Sequence, residues 1–472
     1  MIEDLSKFPS GMKALGDWIR AQGFTYGLYS CRGTCQCGTG TYKAEGSHGS
    51  EAADVAWMVA AGARYLKIDS CCGSQDHATA FSDYAKWRDA MNASSPPGEP
   101  VWVSLCGWNE WYSPPDPSLG YAGGGSLGNS WRIAGDGSGW GPLSNCANQQ
   151  ADAAVYAGPG AWPDPDLLIG PEVYVGGQTD EQARAQFTLW SIFPTNLLIS
   201  QNVLAWSAYA LETYSNAELI AINKDPLMSP ARRIAGGDLK FPCDGGGYAA
   251  ATAAADCDAA DPAQQWTWDA AAGTLAPRAF PGTALTATTC DGGVDGAPVA
   301  LASAAQAGPC ARAKTWLYNT TDSTFRAAAS PQSCLDVYNW AGPVVDTWAC
   351  NGGTNQRFTL TPAGTLATAA DAAHGAKCVK AVAAAPASCA NVWGRTLADG
   401  FALAFVNNDA RAATVACDAG CFAALNVSTS VTRLAIRDLW SHADVGVITA
   451  PFSFSALVNA SGSAAAFKLT PA

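Results

Sequence analysis

The sequence predicts a multidomain chain that is α/β in its first half and all-β in its second. Three observations carry that expectation. From Met1 to about Leu227, apolar runs of strand length alternate with amphipathic helical runs, the pattern of βα units on a parallel sheet, either open or closed into a barrel. A Q-x-W theme then recurs as Gln264-Gln265-Trp266, Lys314-Thr315-Trp316 and Gln356-Arg357-Phe358, its aromatics 50 and 42 residues apart, as for one supersecondary unit used three times. From about Val392 short strands alternate again, as in Phe401 to Asn407 and Arg433 to Trp440, and read as a small antiparallel sandwich. At 472 residues the chain is too long for one core.

Taken in order, Gly11 to Ala21 reads as a helix with Met12, Leu15, Trp18 and Ile19 on one face, followed by a strand from Phe24 to Ser30. A second helix, Ala52 to Val59, turns at Ala61-Gly62 into the strand Tyr65-Leu66-Lys67-Ile68-Asp69. A helix through Tyr84 to Met91 leads to a strand from Pro100 to Cys106, and further strands are expected over Ser130 to Asp136, Pro165 to Ile169 and Leu197 to Ser200. The strand ends carry Tyr29, Asp69, Cys106, Asp136 and Asp166. In a (β/α) barrel such ends converge on one face, so carboxylates distant in sequence share a pocket. An open doubly wound sheet is the runner-up, but no G-x-G-x-x-G follows a strand.

Composition narrows the function classes. A net charge of −13 argues against a nucleic-acid partner, because neutralising phosphates takes basic residues. No apolar run approaches the roughly 18 residues that span a bilayer, so no membrane partner is expected. Neutral ligands remain. Seventeen cysteines, spaced as Cys243/Cys257, Cys290/Cys310, Cys334/Cys350 and Cys417/Cys421, suggest local disulfide staples made in an oxidising compartment. Sequons at Asn92, Asn319, Asn426 and Asn459 agree with the secretory pathway. With four His residues and no paired Cys-x-x-Cys hooks, neither a metal nor another cofactor is expected. Met1 to Leu5 lacks the basic and apolar regions of a signal peptide, so the start is expected to be displaced.

An ordered series of motifs then resembles a known family. Lys7-Phe8-Pro9-Ser10-Gly11-Met12, Tyr26-Gly27-Leu28-Tyr29-Ser30, Leu66-Lys67-Ile68-Asp69, Ser104-Leu105-Cys106-x-Trp108, Ser130-Trp131-Arg132 with Asp136, Gly158-Pro159-Gly160-Ala161-Trp162 with Asp164-Pro165-Asp166, and Ala221-Ile222-Asn223-Lys224-Asp225-Pro226-Leu227 resemble the α-galactosidases of glycoside hydrolase family 27. The likeness runs to about Arg233 and resumes at about Val392. It implies a retaining exo-glycosidase with a TIM barrel and a C-terminal β-sandwich. By position, Asp69 is the nucleophile and Asp136 the acid/base. Tyr29, Lys67, Arg132 and Asp166 fall on sugar-binding positions, and Trp111, or else Asn109 or Glu110, is expected to take over the substrate contact that Gly107 lacks. The chemistry is coherent, since retention takes two carboxyls roughly 5–5.5 Å apart, one attacking the anomeric carbon and one protonating the leaving oxygen. Lys67, two residues before Asp69, points the same way and favours an ionised nucleophile.

The third quarter resembles the ricin-type β-trefoil lectins. Its best repeat runs Cys334-Leu335-Asp336-Val337, Val345-Asp346-Thr347-Trp348-Ala349-Cys350 and Asn355-Gln356-Arg357-Phe358. The resemblance implies one galactose-type site of Asp336, Asp346, Trp348, Asn355 and Gln356. Trp348 can stack on a pyranose while Asp336 and Asn355 hold hydroxyls. The other repeats lack that polar set, so Trp266 and Trp316 read as core.

The fold expected is therefore an incomplete barrel over 1–233 lacking its first two βα units, a trefoil over 238–390 and a sandwich over 391–472. The family's two opening units, with a tryptophan and an Asp-Asp pair that grips the 4- and 6-hydroxyls, are missing. Met1 then reads as an internal methionine of a longer protein, active where this chain is not. The alternative reading is a barrel remnant without turnover that serves as a lectin. Gly107 stands where the family has a glutamate that reads the sugar's 2-position, leaving α-galactose, α-N-acetylgalactosamine and β-L-arabinopyranose open.

Overall fold

The computed structural model describes residues 3–472 except 39–43, 75, 108–121, 138, 172–176, 240–242, 244–249, 288–296, 305–310, 339, 341, 343, 371–374, 383–388 and 410. In the first half, strands β1 (Gly27–Cys31), β2 (Tyr65–Asp69), β3 (Trp102–Leu105), β4 (Ser130–Arg132) and β5 (Trp162–Asp164) form a parallel sheet in sequence order. Helices α1 (Gly11–Ala21), α2 (Glu51–Ala60) and α3 (His77–Ser94) alternate with the first three strands. The strands are short because each is an apolar run bounded by turn residues, and Leu66, Ile68, Val103, Leu105 and Trp131 bury against Val55, Met58, Tyr84 and Trp87 of the helices.

Two expectations shift. The strand expected over Pro165 to Ile169 lies earlier, at Trp162–Asp164. Asp166 takes a φ of 91°, which breaks the extended backbone, and Leu168 then makes only a single parallel bridge to Ile199. On α1 the apolar face is not buried as a whole. Gly16 takes the contact instead, since a Cβ there would lie 2.1 Å from the Ala61 carbonyl oxygen. Trp18 stays 62% exposed, beside exposed Leu5, Phe8 and Phe24 on the β1 side. Ile199, Val203 and Leu204 are exposed at the opposite end of the sheet.

The sheet continues into the sandwich through a shared core. Leu143, Phe187, Trp190 and Phe193 from the helical layer pack with Trp393, Ala404, Val406 and Ala466. The Phe193 and Trp393 rings meet edge to face at 4.7 Å. The sandwich's larger sheet is antiparallel and orders its strands 443–449, 433–438, 463–471, 400–407, 390–397 and β6 (Arg232–Gly236). So β6, which precedes the Ala/Gly-rich segment, pairs with the strand that follows it. That segment leaves and re-enters the fold at adjacent points, and Cys243–Cys389 ties the two points together.

Within the segment, three hairpins start at Trp266, Trp316 and Phe358, each after a 3₁₀ turn. Their backbones close a ring. Trp266 N–H donates to the Gly364 carbonyl, Trp316 N–H to Gly273 and Phe358 N–H to Ser323, each at 2.7 Å. All three aromatic side chains are buried in one core with Leu285, Leu301, Leu335 and Val379. The equivalent indoles also donate to backbone carbonyls, Trp266 to Val379 at 2.7 Å and Trp316 to Leu285 at 3.0 Å.

The cysteines correct one of the expected staples, Cys243/Cys257. Cys334–Cys350 and Cys417–Cys421 form as spaced, but Cys243 pairs with Cys389 and Cys257 with Cys378. Antiparallel pairing of strand 250–256 with strand 377–382 brings Cys257 to Cys378 across 121 residues, which proximity in sequence cannot reveal. Cys290 and Cys310 lie outside the described residues. No helix among the described residues is long and apolar enough to cross a membrane.

Candidate active site

Register builds the site. Parallel pairing sets Tyr29 beside Lys67, Cys31 beside Asp69, and Lys67 beside Ser104. Alternation puts Tyr29, Lys67 and Asp69 on one face. Asp69 closes β2, and its carboxylate is held by two donors: Tyr29 O–H at 2.8 Å to Oδ2 and the Ser70 backbone N–H at 2.8 Å to Oδ1. Burial, and then the neighbouring Asp69 charge, push the Tyr29 phenol well above its ordinary range, so it stays protonated and remains a donor. Disulfides Cys35–Cys72 and Cys37–Cys71 sew the loop after β1 to the loop after β2. Lys67 and Asp69 form no ion pair; among the described residues Lys67 has no hydrogen-bonding or ionic partner.

The second half of the site hangs on Arg132 at the end of β4. Its side chain is buried, and Nη2 lies 2.9 Å from Asp166 Oδ2, 3.0 Å from Asp136 Oδ1 and 3.1 Å from the Gly135 carbonyl. Burial acts against its charge, but Asp166, Cys106 and Asp136 more than offset that, and the guanidinium stays charged. The two carboxylates differ. Asp166 is 5% exposed, takes Gly137 N–H at 2.7 Å on the oxygen that faces Arg132, and is pushed up by burial against the pull of Arg132. Asp136 lies four residues beyond Arg132 on a loop, with its side chain 91% exposed. Gly137 permits the arrangement, because a Cβ there would lie 2.5 Å from Leu143 Cδ2.

Cys106 connects the halves. It is partly buried, with Sγ 3.8 Å from Arg132 Nη1, and burial pushes its thiol up against the pull of Arg132. The ends of β2 and β4 and the loop that follows β4 thus carry a fixed, hydrogen-bonded carboxylate, an exposed carboxylate, a buried guanidinium and a lysine, residue types suited to attack on one atom and proton transfer to its neighbour. Of the residues expected in the site, the structure brings Tyr29 to Asp69 and Arg132 to Asp136 and Asp166; sequence reasoning missed Asp164, whose Oδ1 accepts the Asp166 N–H at 2.9 Å. The Asp164-Pro165-Asp166 spacing was the available signal. Asn109, Glu110 and Trp111 lie outside the described residues. Cys31, Cys37, Cys71 and Asp69 cluster at metal-ligand distances, but Cys37 and Cys71 are bonded to each other and offer no thiolates.

A second polar cluster lies in the Ala/Gly-rich segment. Asp336 Oδ1 accepts Asn355 Nδ2 at 2.8 Å and Gln356 Nε2 at 2.9 Å. Asp346 sits opposite Asp336 in the strand register. All four are buried, and only Trp348 of the expected sugar-binding set is partly exposed.

Comparison with known proteins follows the same division. Residues 1–225 match the model for alpha galactosidase A, and residues 388–467 match that for the alpha galactosidase C-terminal beta sandwich domain. An alpha-galactosidase of Oryza sativa subsp. japonica is 35% identical over 228 residues, 48% of this chain and 50% of the relative. One from Cyamopsis tetragonoloba is 34% identical over 235 residues, 50% of this chain and 55% of the relative. The chain spans about half the length of the curated relatives it matches. Among solved structures, an α-galactosidase of Saccharomyces cerevisiae superposes over 100% of this chain and 85% of its own with a TM-score of 0.58 at 18% identity. A β-L-arabinopyranosidase of Geobacillus stearothermophilus does so over 100% and 81%, with a TM-score of 0.54 at 14% identity. These structures share the fold, a TIM-barrel-like N-terminal domain with a C-terminal β-sandwich. The matched segments flank a stretch, 226–387, that neither family model covers, and in both of them the chain is similar to the α-galactosidases of glycoside hydrolase family 27.

Proposed function

We propose that the protein is a retaining exo-glycosidase that releases terminal α-galactose from oligosaccharides or glycoconjugates. Asp69 attacks the anomeric carbon while Asp136 gives a proton to the departing oxygen, and water, deprotonated by Asp136, then displaces Asp69. The observation that carries this reading is the Asp69 carboxylate, held by Tyr29 and Ser70 at the C-terminal end of β2, in the same parallel sheet whose strand β4 ends in the Arg132 that holds the exposed Asp136. Tyr29, Lys67, Arg132 and Asp166 line the sugar's side, and Gly107 leaves the 2-position unread. Disulfides support passage through the secretory pathway.

The exposed apolar residues at both ends of the parallel sheet, Trp18 and Phe24 at one and Val203 and Leu204 at the other, favour a barrel closed by further βα units. The expected result is α-galactoside hydrolysis by a protein that carries such units and loss of it from the 472-residue chain. Equal turnover by the two would sink the incomplete-barrel reading. No turnover by either would favour the alternative, a carbohydrate-binding protein without catalysis.

The Ala/Gly-rich segment is, in the same proposal, a ricin-type β-trefoil with a galactose-type site at Asp336, Asp346, Trp348, Asn355 and Gln356. The ring of three hairpins supports the fold, and the Asn355 and Gln356 bonds to Asp336 support a preset polar site. Asp336→Ala is expected to abolish retention on a galactose-bearing resin, and the isosteric Asp336→Asn to weaken it. Retention unaltered in both variants would make the segment structural only.

A further inference from the structure

The two sugar-directed clusters are not remote from each other. A Cβ added to Gly135 would lie 3.7 Å from Cη2 and 3.9 Å from Cζ3 of Trp348, so the indole's six-membered ring rests on the loop that carries Asp136. That loop is held from beneath, where Arg132 Nη2 donates to the Ala134 carbonyl at 3.3 Å and to the Gly135 carbonyl at 3.1 Å. The indole is also held from its own side. Trp348 pairs with Cys334 across the strands, and Cys334 is bonded to Cys350 two residues past Trp348. At the base of the segment, Asn148 and Leu239 exchange hydrogen bonds of 2.8 and 2.7 Å, and Cys243–Cys389 closes the stalk. Both supports are anchored, so the contact is a built one.

The position has a chemical meaning. Asp136 is the exposed carboxylate of the pair, and Gly135 precedes it directly. A group that protonates a leaving oxygen stands on the leaving group's side of the scissile bond. An aromatic face beside it therefore meets the part of the substrate that departs. A pyranose offers an apolar face to such a ring, whereas a small leaving group does not reach it.

We propose that Trp348 is a specificity-determining residue of the hydrolase: it forms the leaving-group wall of the active-site cleft and stacks on the sugar next to the terminal galactose. The inference rests on the glycosidase reading of Asp69 and Asp136. The inserted segment then extends the active site, and the enzyme prefers α-galactosyl oligosaccharides to galactosides with small leaving groups.

The test compares Trp348→Ala and Trp348→Phe with the unmodified full-length protein on raffinose and on α-galactosyl fluoride, whose leaving group is one atom. The ratio of kcat/KM for raffinose to that for the fluoride is expected to fall about tenfold in Trp348→Ala, mainly through KM, and to recover in Trp348→Phe. An unchanged ratio overturns the inference, whether both rates hold or both fall. So does a loss of galactose-resin retention in Trp348→Ala with no change in that ratio, which would make Trp348 part of a separate lectin site. Absence of turnover of either substrate by the unmodified protein refutes the glycosidase reading itself, and the inference with it.

Discussion

In the protein that carries the further βα units, Asp69→Asn is expected to lower kcat on α-galactosides by at least about 10⁴-fold while leaving the fold intact. The amide keeps the shape of the carboxylate, and its oxygen can still accept the Ser70 N–H that now lies 2.8 Å from Oδ1. What it loses is the charge that attacks the anomeric carbon. Melting temperature and circular dichroism unchanged from the parent would separate that loss from misfolding. Stereochemistry assigns the roles. In Asp69→Ala, added azide can enter from the face the nucleophile vacated, and the product expected is the β-galactosyl azide. In Asp136→Ala, Asp69 still forms the glycosyl intermediate, azide then displaces it, and the α-galactosyl azide is expected. Rescue with the configurations exchanged would swap the two assignments, and near-parental activity in Asp69→Asn would remove Asp69 from the chemistry altogether.

Much of this arrangement was legible in the sequence because it is local. Strand β2 is an apolar run ending in a carboxylate, and alternation alone puts Lys67 and Asp69 on one face. The hairpins at Trp266, Trp316 and Phe358 were legible because a repeated unit repeats its buried aromatic. What stayed hidden depends on residues the chain brings together from afar. The Cys243–Cys389 and Cys257–Cys378 bonds span 146 and 121 residues, and neighbouring cysteines in the sequence pointed elsewhere. Strand β6 sits in the sandwich sheet only because the segment that follows it returns to its starting point. The apolar run Leu167-Leu168-Ile169 looked like a strand, yet the positive φ at Asp166 spends those residues on core packing and a single bridge. The contact of Trp348 with Gly135 joins two modules that sequence motifs treat separately.

Asp166→Ala is expected to be the most destabilising single change near the site, by about 3–5 kcal/mol. The reason is what it leaves behind. Arg132 is 2% exposed, its Nε has no hydrogen-bond partner among the described residues, and Nη2 would keep only Asp136 as a charged neighbour. Asp136 is nearly fully exposed, so water screens its charge and it cannot replace a buried partner 2.9 Å away. The loss reaches further, because the Asp166 carboxylate also takes the Gly137 N–H at 2.7 Å and the Leu167 N–H at 2.8 Å. The transition of that unit is expected to fall by roughly 6–20 °C. A double substitution, Arg132→Met with Asp166→Leu, removes both charges and should recover most of the loss, since a buried pair exchanged for apolar residues is often neutral. Calorimetry of the two single variants and the double one measures the coupling. If Asp166→Ala melts within 2 °C of the parent, Arg132 does not depend on Asp166; if the double variant is no better than Asp166→Ala, the cost lies in the backbone at Asp166 and Gly137 and not in the stranded charge.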